Sequence, residues 1–223
     1  MKDYLKKNMI PLGIEALFII SCFIIPSEYY IYSNFVFYMS LLVYFAGMKN
    51  FSLKEWGANL KQGGKFWKPV MLTVFFFLFA FAVTTVLESI FPDFNTGTIA
   101  LRRDNWFRLF LFAISTIILP PVVEEIFYRK NLILCDCRLS GGGKRITVVT
   151  MVFSMILYAA EHSLSAWGIF LTMIWALPLS ISYIKTKNVY IPMTAHLIVN
   201  LFGNGADIIF TIRTMLLAAV RVE

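Results

Sequence analysis

Residues 69–87 read PVMLTVFFFLFAFAVTTVL, a run of 19 residues without a single charged side chain. A helix needs roughly 20 predominantly apolar residues to cross a bilayer, so this run has the length of one membrane span. Residues 29–48 and 163–184 form two more uncharged runs, of 20 and 22 residues. Because the bilayer core offers no water, the backbone groups of such runs must pair internally, which predicts helices.

Four shorter or interrupted apolar runs raise the predicted number of spans to seven, and they lie at residues 9–26, 109–123, 146–160 and 188–206. The tail 207–220 could form an eighth, short or tilted helix, with Gly203 and Gly205 supplying a break before it. We therefore predict an all-α, polytopic bundle of seven to eight transmembrane helices. It forms a single integral membrane domain over residues 1–223, with a motif-bearing core at about 106–212.

Composition and charge agree with a membrane protein. Hydrophobic residues make up 59% of the chain and charged residues 15%, whereas soluble domains have about 45–50% and about 25%. The net charge of +7 does not indicate nucleic-acid binding, because most lysines and arginines lie on alternate connections. With the N-terminus inside, the outer segments hold only Arg102, Arg103, Arg213 and Arg221. The positive-inside rule then predicts a cytoplasmic N-terminus.

The first apolar run is predicted to be a retained span and not a signal peptide, since no small-residue cleavage site follows it. The cysteines Cys22, Cys135 and Cys137 do not suggest a disulfide framework. Cys135 and Cys137 are either a metal-binding pair or small residues at a helix end. Segment 49–68 mixes aromatic residues with lysines, and it is either an interfacial segment or a loop with aromatic anchors.

Ionisable residues inside membrane spans are costly and are functional candidates by default. The set is short, and it contains both histidines of the chain: Glu15, Glu124, Glu125, Arg129, His162 and His196, with Asn200 as a polar companion. Glu15 lies about five residues into the first span, so we expect it to reach the inner interface without a functional role.

The stretch PPVVEEIFYR, residues 120–129, holds the first group of these residues. Glu125 and Arg129 are spaced i,i+4, so they share a helix face and can pair. Glu124 points about 100° away and has no local partner. A lone carboxylate in a low-dielectric site is a candidate proton acceptor. The alternative is a cytoplasmic helix end with scattered charges.

Two further groups each place an imidazole one helical turn from another polar side chain. Tyr158 precedes His162, and His196 precedes Asn200. Together with a lone glutamate, they could hydrolyse an amide: the glutamate takes a proton from water, one histidine orients that water, and the other histidine and the asparagine donate to the oxyanion. Two histidines and a carboxylate could instead bind zinc, although no His-Glu-x-x-His motif is present.

In order and spacing these residues resemble the CAAX prenyl protease and bacteriocin-processing family, also called the Abi family, which includes the type II CAAX prenyl endopeptidases. The family's marks are Glu-Glu-x-x-x-Arg, then Phe-x-x-x-His, then His-x-x-x-Asn or Asp, on successive membrane helices. Six residues match in order: Glu124, Glu125 and Arg129, then His162, then His196 and Asn200. The matched region covers about residues 119–201, somewhat over a third of the chain.

The resemblance implies catalytic roles for four residues. Glu124 would be the catalytic glutamate, and His162 would help to activate water. His196 and Asn200 would stabilise the oxyanion. Members of this family are called metalloproteases, yet similar proteins have been described as glutamate proteases. The sequence therefore leaves open whether a divalent metal such as zinc is bound.

The resemblance also implies that Glu125 and Arg129 support the architecture of the site. The chain departs from the family pattern at Tyr158, where the family has phenylalanine; the aromatic ring is kept and a hydroxyl is added. Glu161, next to His162, is a charge that no motif explains.

The predicted depths of the site residues require a longer fourth span. If that span ended at Arg129, Glu124 would lie at the inner surface, whereas His162 lies about 17 residues along its own helix, roughly 25 Å deep. We therefore expect the fourth helix to continue through residues 131–135 towards Cys137, which places Glu124 roughly 20 Å into the membrane.

These observations predict an intramembrane endopeptidase that acts on a peptide or lipophilic protein substrate through glutamate-activated water. Processing of a leader peptide, pheromone or bacteriocin in a bacterial cell membrane is the expected setting, with membrane lipids and no nucleic acid as partners. The alternative is a bacteriocin self-immunity or regulatory protein that binds without catalysis. A proton-coupled transporter is disfavoured because no inverted repeat is detectable.

Overall fold

The structure is a computed structural model that describes residues 2–135 and 143–220. Within these ranges the chain forms nine α-helices, which confirms the all-α prediction. They are α1 (Lys2–Ile24), α2 (Tyr30–Gly47), α3 (Leu53–Leu60), α4 (Gly64–Ile90), α5 (Trp106–Ala113), α6 (Leu119–Glu124), α7 (Lys144–Ala160), α8 (Ala166–Thr186) and α9 (Tyr190–Val220).

Six helical stretches of the described chain are long and apolar enough to cross a membrane: Lys6–Ile24, Ser27–Gly47, Gly64–Ile90, Trp106–Asn131, Ala166–Thr186 and Tyr190–Ala218. The stretch Trp106–Asn131, which contains α5 and α6, is called the fourth span below. Helix α7, with 17 residues, is the remaining predicted span and is shorter. Large apolar side chains such as Phe75 and Phe79 stay exposed on the outside of the bundle, as expected of an integral membrane protein.

Helix α9 corrects the prediction of a separate eighth helix. It runs without a break from Tyr190 to Val220 and includes Gly203 and Gly205, where the sequence predicts a break. A glycine costs a helix only about 1 kcal/mol relative to alanine, which is too little to end a long helix. Pro192 lies in the first turn, where the missing N–H removes no helical hydrogen bond.

Segment 49–68 contains the short helix α3, which packs against the start of α9. The indole N–H of Trp56 donates to the hydroxyl of Thr194 at 2.8 Å. The hydroxyl of Tyr190 donates to the carboxylate of Glu55 at 2.8 Å. Helix α3 therefore fixes the first turns of α9, which bears one of the predicted catalytic histidines.

The fourth span contains a π-helical segment around Thr116, just before a pair of prolines. The carbonyl of Thr116 would accept the N–H of residue 120 in an α-helix or of residue 121 in a π-helix, but Pro120 and Pro121 have no N–H. Side-chain amides of α9 satisfy this carbonyl instead: Asn200 donates to it at 2.8 Å and Asn204 at 3.1 Å. The proline pair thus creates an acceptor that attaches α9 to the fourth span.

The fourth span ends at Asn131, so the predicted continuation of this helix towards Cys137 is wrong; Cys137 itself lies outside the described residues. The next four residues are non-helical and run beside the start of α7. The backbone N–H of Leu134 donates to Thr150 at 3.1 Å, and the hydroxyl of Thr147 donates to the carbonyl of Leu134 at 2.7 Å. Non-helical backbone can advance up to about 3.3–3.6 Å per residue, against 1.5 Å in a helix. A few extended residues after Asn131 can therefore span the distance to the inner membrane surface that the sequence-based prediction assigned to a longer helix.

The connection between α4 and the fourth span is fixed to the start of α8. The backbone N–H of Ile99 donates to the carbonyl of His162 at 3.0 Å. Gly168, in the first turn of α8, permits this close approach, because a Cβ atom at position 168 would lie 1.9 Å from the carbonyl oxygen of Thr96.

We expect Gly168→Ala to lower the stability of the protein, because the added methyl group must displace backbone. Overpacking of this kind costs about 1–3 kcal/mol, which thermal unfolding in detergent micelles would detect. Gly205→Ala is the matched control, since no atom lies within 4 Å of a Cβ atom built at that position. A melting temperature for Gly168→Ala equal to that of the control would contradict the close packing.

Candidate active site

A cavity of about 520 Å³ lies between α2, α4, the fourth span, α8 and α9. Glu124, His162, His196 and Asn200 all line it, so the structure brings the four predicted catalytic residues to one place. Their catalytic roles stay predictions, but the geometry allows the chemistry of each one to be derived.

Glu124 occupies the last turn of α6 and is 1% exposed. One of its oxygens, Oε1, accepts the hydroxyl proton of Tyr38 from α2. The other oxygen, Oε2, has no hydrogen-bonding partner among the described residues, and Nε2 of His196 lies 3.8 Å from it. One oxygen of the carboxylate is therefore anchored, and the other is free to act.

His196 belongs to a buried ion group with Glu125 and Arg129. Its Nδ1–H donates to Oε1 of Glu125 at 2.9 Å, and Nη1 of Arg129 lies 3.3 Å from the same oxygen. No guanidinium nitrogen of Arg129 has a hydrogen-bonding partner in the described part of the chain, but the Tyr158 ring centroid lies 4.5 Å from the guanidinium carbon. Arg129 is thus held by charge and by a cation–π contact, which explains the aromatic residue at position 158.

His162 lies in the turn after α7, with its ring 4.6 Å from that of Tyr158. Its Nδ1 is 2.8 Å from the carbonyl oxygen of Tyr158. A carbonyl oxygen can only accept, so Nδ1 carries the hydrogen and Nε2 of the neutral ring carries a lone pair. The side chain is 32% exposed, so Nε2 is available to a water molecule or a cation in the cavity.

Asn200 donates one of its two amide hydrogens to the carbonyl of Thr116. The other hydrogen remains for a ligand in the cavity. The bond to Thr116 fixes the amide plane, so this donor is oriented before a substrate binds.

The family model of the type II CAAX prenyl endopeptidase Rce1-like proteins matches residues 105–202. This segment belongs to the Rce1-like family. It begins just before α5, ends within α9, and contains all six residues of the three motifs. Neither the curated proteins nor the solved structures include a match to the chain.

Two residues from outside the Rce1-like segment also reach the site, and sequence reasoning missed their roles. Glu15, expected at the inner interface, is 1% exposed, and its Oε1 lies 3.2 Å from the hydroxyl of Tyr128. The expected interfacial position is wrong because α1 turns this residue into the bundle. Tyr38 carried no sequence signal, because a single tyrosine in an aromatic-rich span is unremarkable. Glu161 was visible as an unexplained charge, and the structure buries it beside the motif residues.

These residues form a chain of contacts from Glu15 to Glu124. Besides the bond from Glu15 to Tyr128, the hydroxyl of Tyr128 lies 2.6 Å from Oε2 of Glu161, and the hydroxyl of Tyr38 lies 3.1 Å from Oε1 of Glu161. Tyr38 also contacts Glu124. Each of the four oxygen–oxygen contacts needs one proton, and the two tyrosines supply only two, so two of the three carboxyl groups must be protonated for all contacts to be hydrogen bonds.

One arrangement directs every proton of this chain towards Glu124. Protonated Glu15 donates to Tyr128, Tyr128 to Glu161, protonated Glu161 to Tyr38, and Tyr38 to Glu124. Of these three carboxyl groups only Glu124 is then ionised, and its Oε2 lies 3.8 Å from Nε2 of His196.

Three side chains of the site could hold a metal ion. The ligand atoms of Glu124, Glu161 and His162 all lie within 4.8 Å of one another. Carboxylate oxygen and imidazole nitrogen are zinc ligands, and a carbonyl group orients His162 through Nδ1, as in many zinc sites. The donor set therefore fits a divalent cation, although it has two carboxylates and one histidine instead of the predicted two histidines and one carboxylate.

We expect Arg129→Ala to destabilise the protein by about 3–5 kcal/mol, because it leaves the Glu125 charge buried without its partner. The measurement is thermal or denaturant unfolding in detergent. Arg108→Ala is the matched control: Arg108 also pairs with an acidic residue at i−4, Asp104, which is 51% exposed, so its loss should cost less. Equal stability of Arg129→Ala and the wild type would show that the buried ion group is absent.

We expect Glu161→Gln to keep wild-type stability, because its amide nitrogen can donate to Tyr38 and its amide oxygen can accept from Tyr128. Glu161→Ala removes both contacts, so that each buried tyrosine hydroxyl keeps only one of its two partners, and we expect this loss to cost about 1–3 kcal/mol. Unfolding of the two variants in detergent tests the proton arrangement. A glutamine variant as unstable as the alanine variant would place the negative charge on Glu161 instead of Glu124.

Proposed function

We propose that this integral membrane protein is an intramembrane endopeptidase in which Glu124 activates the attacking water. The observation that carries the proposal is the buried carboxylate with one anchored oxygen and one free oxygen, on the wall of a cavity that also holds both histidines. Water bound at Oε2 of Glu124 transfers a proton to that oxygen as its own oxygen attacks the substrate carbonyl. The proton then passes to the leaving amine nitrogen.

The histidines take different parts because their ring nitrogens have different partners. Nε2 of His162 accepts a hydrogen bond and orients the attacking water. His196 already donates Nδ1–H to Glu125, so it can donate to an oxyanion only when Nε2 is also protonated. Asn200 supplies the second donor to the oxyanion.

A divalent cation held by Glu124, Glu161 and His162 would act as a Lewis acid towards water. The roles of His196 and Asn200 as donors to the oxyanion apply with or without that cation.

The cavity mouth indicates the side from which a substrate enters. Glu88, Arg103 and Asp207 line the cavity, and the first two lie at the end of α4 and just before the fourth span. The lysine-rich connections lie at the opposite end of the bundle. With a cytoplasmic N-terminus, the mouth faces away from the cytoplasm, which suits a peptide or membrane-associated protein at the outer leaflet of a bacterial cell membrane, such as a leader peptide, pheromone or bacteriocin.

Glu124→Gln should leave folding and substrate binding nearly intact, because glutamine keeps the size and the contact with Tyr38. Hydrolysis should fall by about 10²–10⁴-fold, as is typical for loss of a positioned acid or base. The measurement is cleavage of fluorogenic peptides by the protein in reconstituted vesicles. Glu28→Gln, outside the cavity lining, is the matched control and should cleave at the wild-type rate.

The same variants distinguish a catalytic protein from a self-immunity protein that acts by binding without catalysis. Cells that express Glu124→Gln are exposed to the cognate peptide, and their survival is compared with that of wild-type cells. Loss of cleavage and protection together supports a protease, and protection without cleavage supports a binding protein. Unchanged cleavage would remove Glu124 from the catalytic role.

A further inference from the structure

The connection between α4 and the fourth span contains a short piece of β-structure beside the active site. The backbone N–H of Ile99 donates to the carbonyl of His162 at 3.0 Å, and the N–H of Leu164 donates to the carbonyl of Gly97 at 2.9 Å. These two bonds flank an antiparallel bridge between Thr98 and Ser163. Residues 96–101 therefore run against the turn that carries a predicted catalytic histidine.

The opposite edge of this segment has no backbone partner in the described part of the chain. In such a bridge the two bonds flank the central pair, so the N–H and carbonyl of Thr98 point away from Ser163. Within the described residues, no hydrogen bond is formed by the backbone N–H of Thr98 or of Ala100. An unpaired strand edge can accept another strand, as in complexes in which an extended peptide adds to a sheet.

The segment is held firmly in place from its other side. The hydroxyl of Ser163 donates to the carbonyl of Thr96, and the hydroxyl of Ser165 donates to the carbonyl of Asn95 at 2.7 Å. Gly97 has a positive φ of 59°, and a Cβ atom there would lie 2.8 Å from the backbone nitrogen of Ser165. The edge is therefore preorganised, which lowers the entropic cost of binding a partner.

The same segment forms part of the wall of the catalytic cavity. Five of its six residues line the cavity: Thr96, Thr98, Ile99, Ala100 and Leu101. Aromatic side chains, among them Phe77, Phe81 and Trp175, line the same cavity. An extended chain on this edge would point alternate side chains to opposite faces, so that apolar residues at every second position could contact the aromatic wall.

We propose that residues 96–101 form a template strand, on which the substrate binds main chain to main chain as an extended peptide with apolar side chains at alternate positions. This inference rests on the proposed peptidase function. The template strand holds the residues that flank the scissile bond, while Glu124 and His162 act on the bond itself. Because the substrate is recognised mainly through its backbone, we expect the protein to accept many different side chains but only peptides in an extended conformation.

A scan with N-methylated peptides tests the template strand in the unaltered protein. The probe is an internally quenched apolar nonapeptide, taken from a small panel as the one that the wild-type protein cuts fastest or, if none is cut, the one that the protein binds most tightly. It is resynthesised with one N-methyl group at each position in turn. Only every second N–H of a bound strand faces the template. Methylation should therefore raise KM about three- to tenfold at alternate positions, as expected for one lost hydrogen bond, and should have little effect between them.

Binding of the same peptides to Glu124→Gln, measured by fluorescence anisotropy, separates this inference from the proposed function. Alternating affinities without cleavage by the wild type support the template strand and refute the peptidase. Cleavage with a flat methylation profile, or with a helical period of three to four, overturns the template strand and leaves the peptidase standing. Absence of both cleavage and binding overturns both proposals.

Thr98→Pro provides a second test, because proline removes the N–H of the template edge while leaving the bonds of Ile99 and Gly97 to the bundle. We expect KM to rise at least about threefold with kcat little changed. Arg102→Pro, at an exposed position of the same connection outside the cavity lining, is the control and should behave as the wild type. If Thr98→Pro proves unfolded, the methylation scan decides alone.

Discussion

The structure depends above all on the buried ion group of Arg129, Glu125 and His196. A charge in a low-dielectric interior is tolerated only when it is paired, so these three side chains must meet wherever the rest of the bundle places them. That requirement holds the fourth span against α9. The Tyr158 ring, which lies over the guanidinium of Arg129, also attaches α7 to the fourth span. The contact between Nδ1 of His196 and Glu125 directs Nε2 of the same ring towards Oε2 of Glu124.

A second constraint comes from proline chemistry. Pro120 and Pro121 leave the carbonyl of Thr116 without a backbone donor, and two asparagines of α9 supply the missing hydrogens. This repair of the helix also orients Asn200, one of the motif residues. An irregular helix inside a membrane is stable only where protein groups satisfy its free backbone atoms, so the irregularity and the polar site stabilise each other.

The helices before the Rce1-like segment complete the site. Tyr38 from α2 anchors Glu124, and Glu15 from α1 contacts Tyr128 at the far end of the carboxyl–tyrosine chain. A hydroxyl group can both donate and accept, so tyrosines can join carboxyl groups that would otherwise repel one another. The segment 96–101, also outside the matched region, forms a wall of the same cavity. The motif residues and the preceding helices therefore line one cavity, and the preceding helices supply hydrogen-bonding partners to the Rce1-like segment.

The sequence by itself determined the helical membrane bundle and four of the polar residues that line its cavity, Glu124, His162, His196 and Asn200, because run length and the cost of buried charge are properties of the chain alone. It also determined the pairing of Glu125 with Arg129, which lie one helical turn apart. Only the tertiary structure decided the end of the fourth span at Asn131, the unbroken course of α9, and the burial of Glu15 and Glu161. These features depend on contacts between residues far apart in the chain, which local spacing cannot specify: a threonine of α7 holds the backbone after Asn131, and a tyrosine of the fourth span contacts both glutamates.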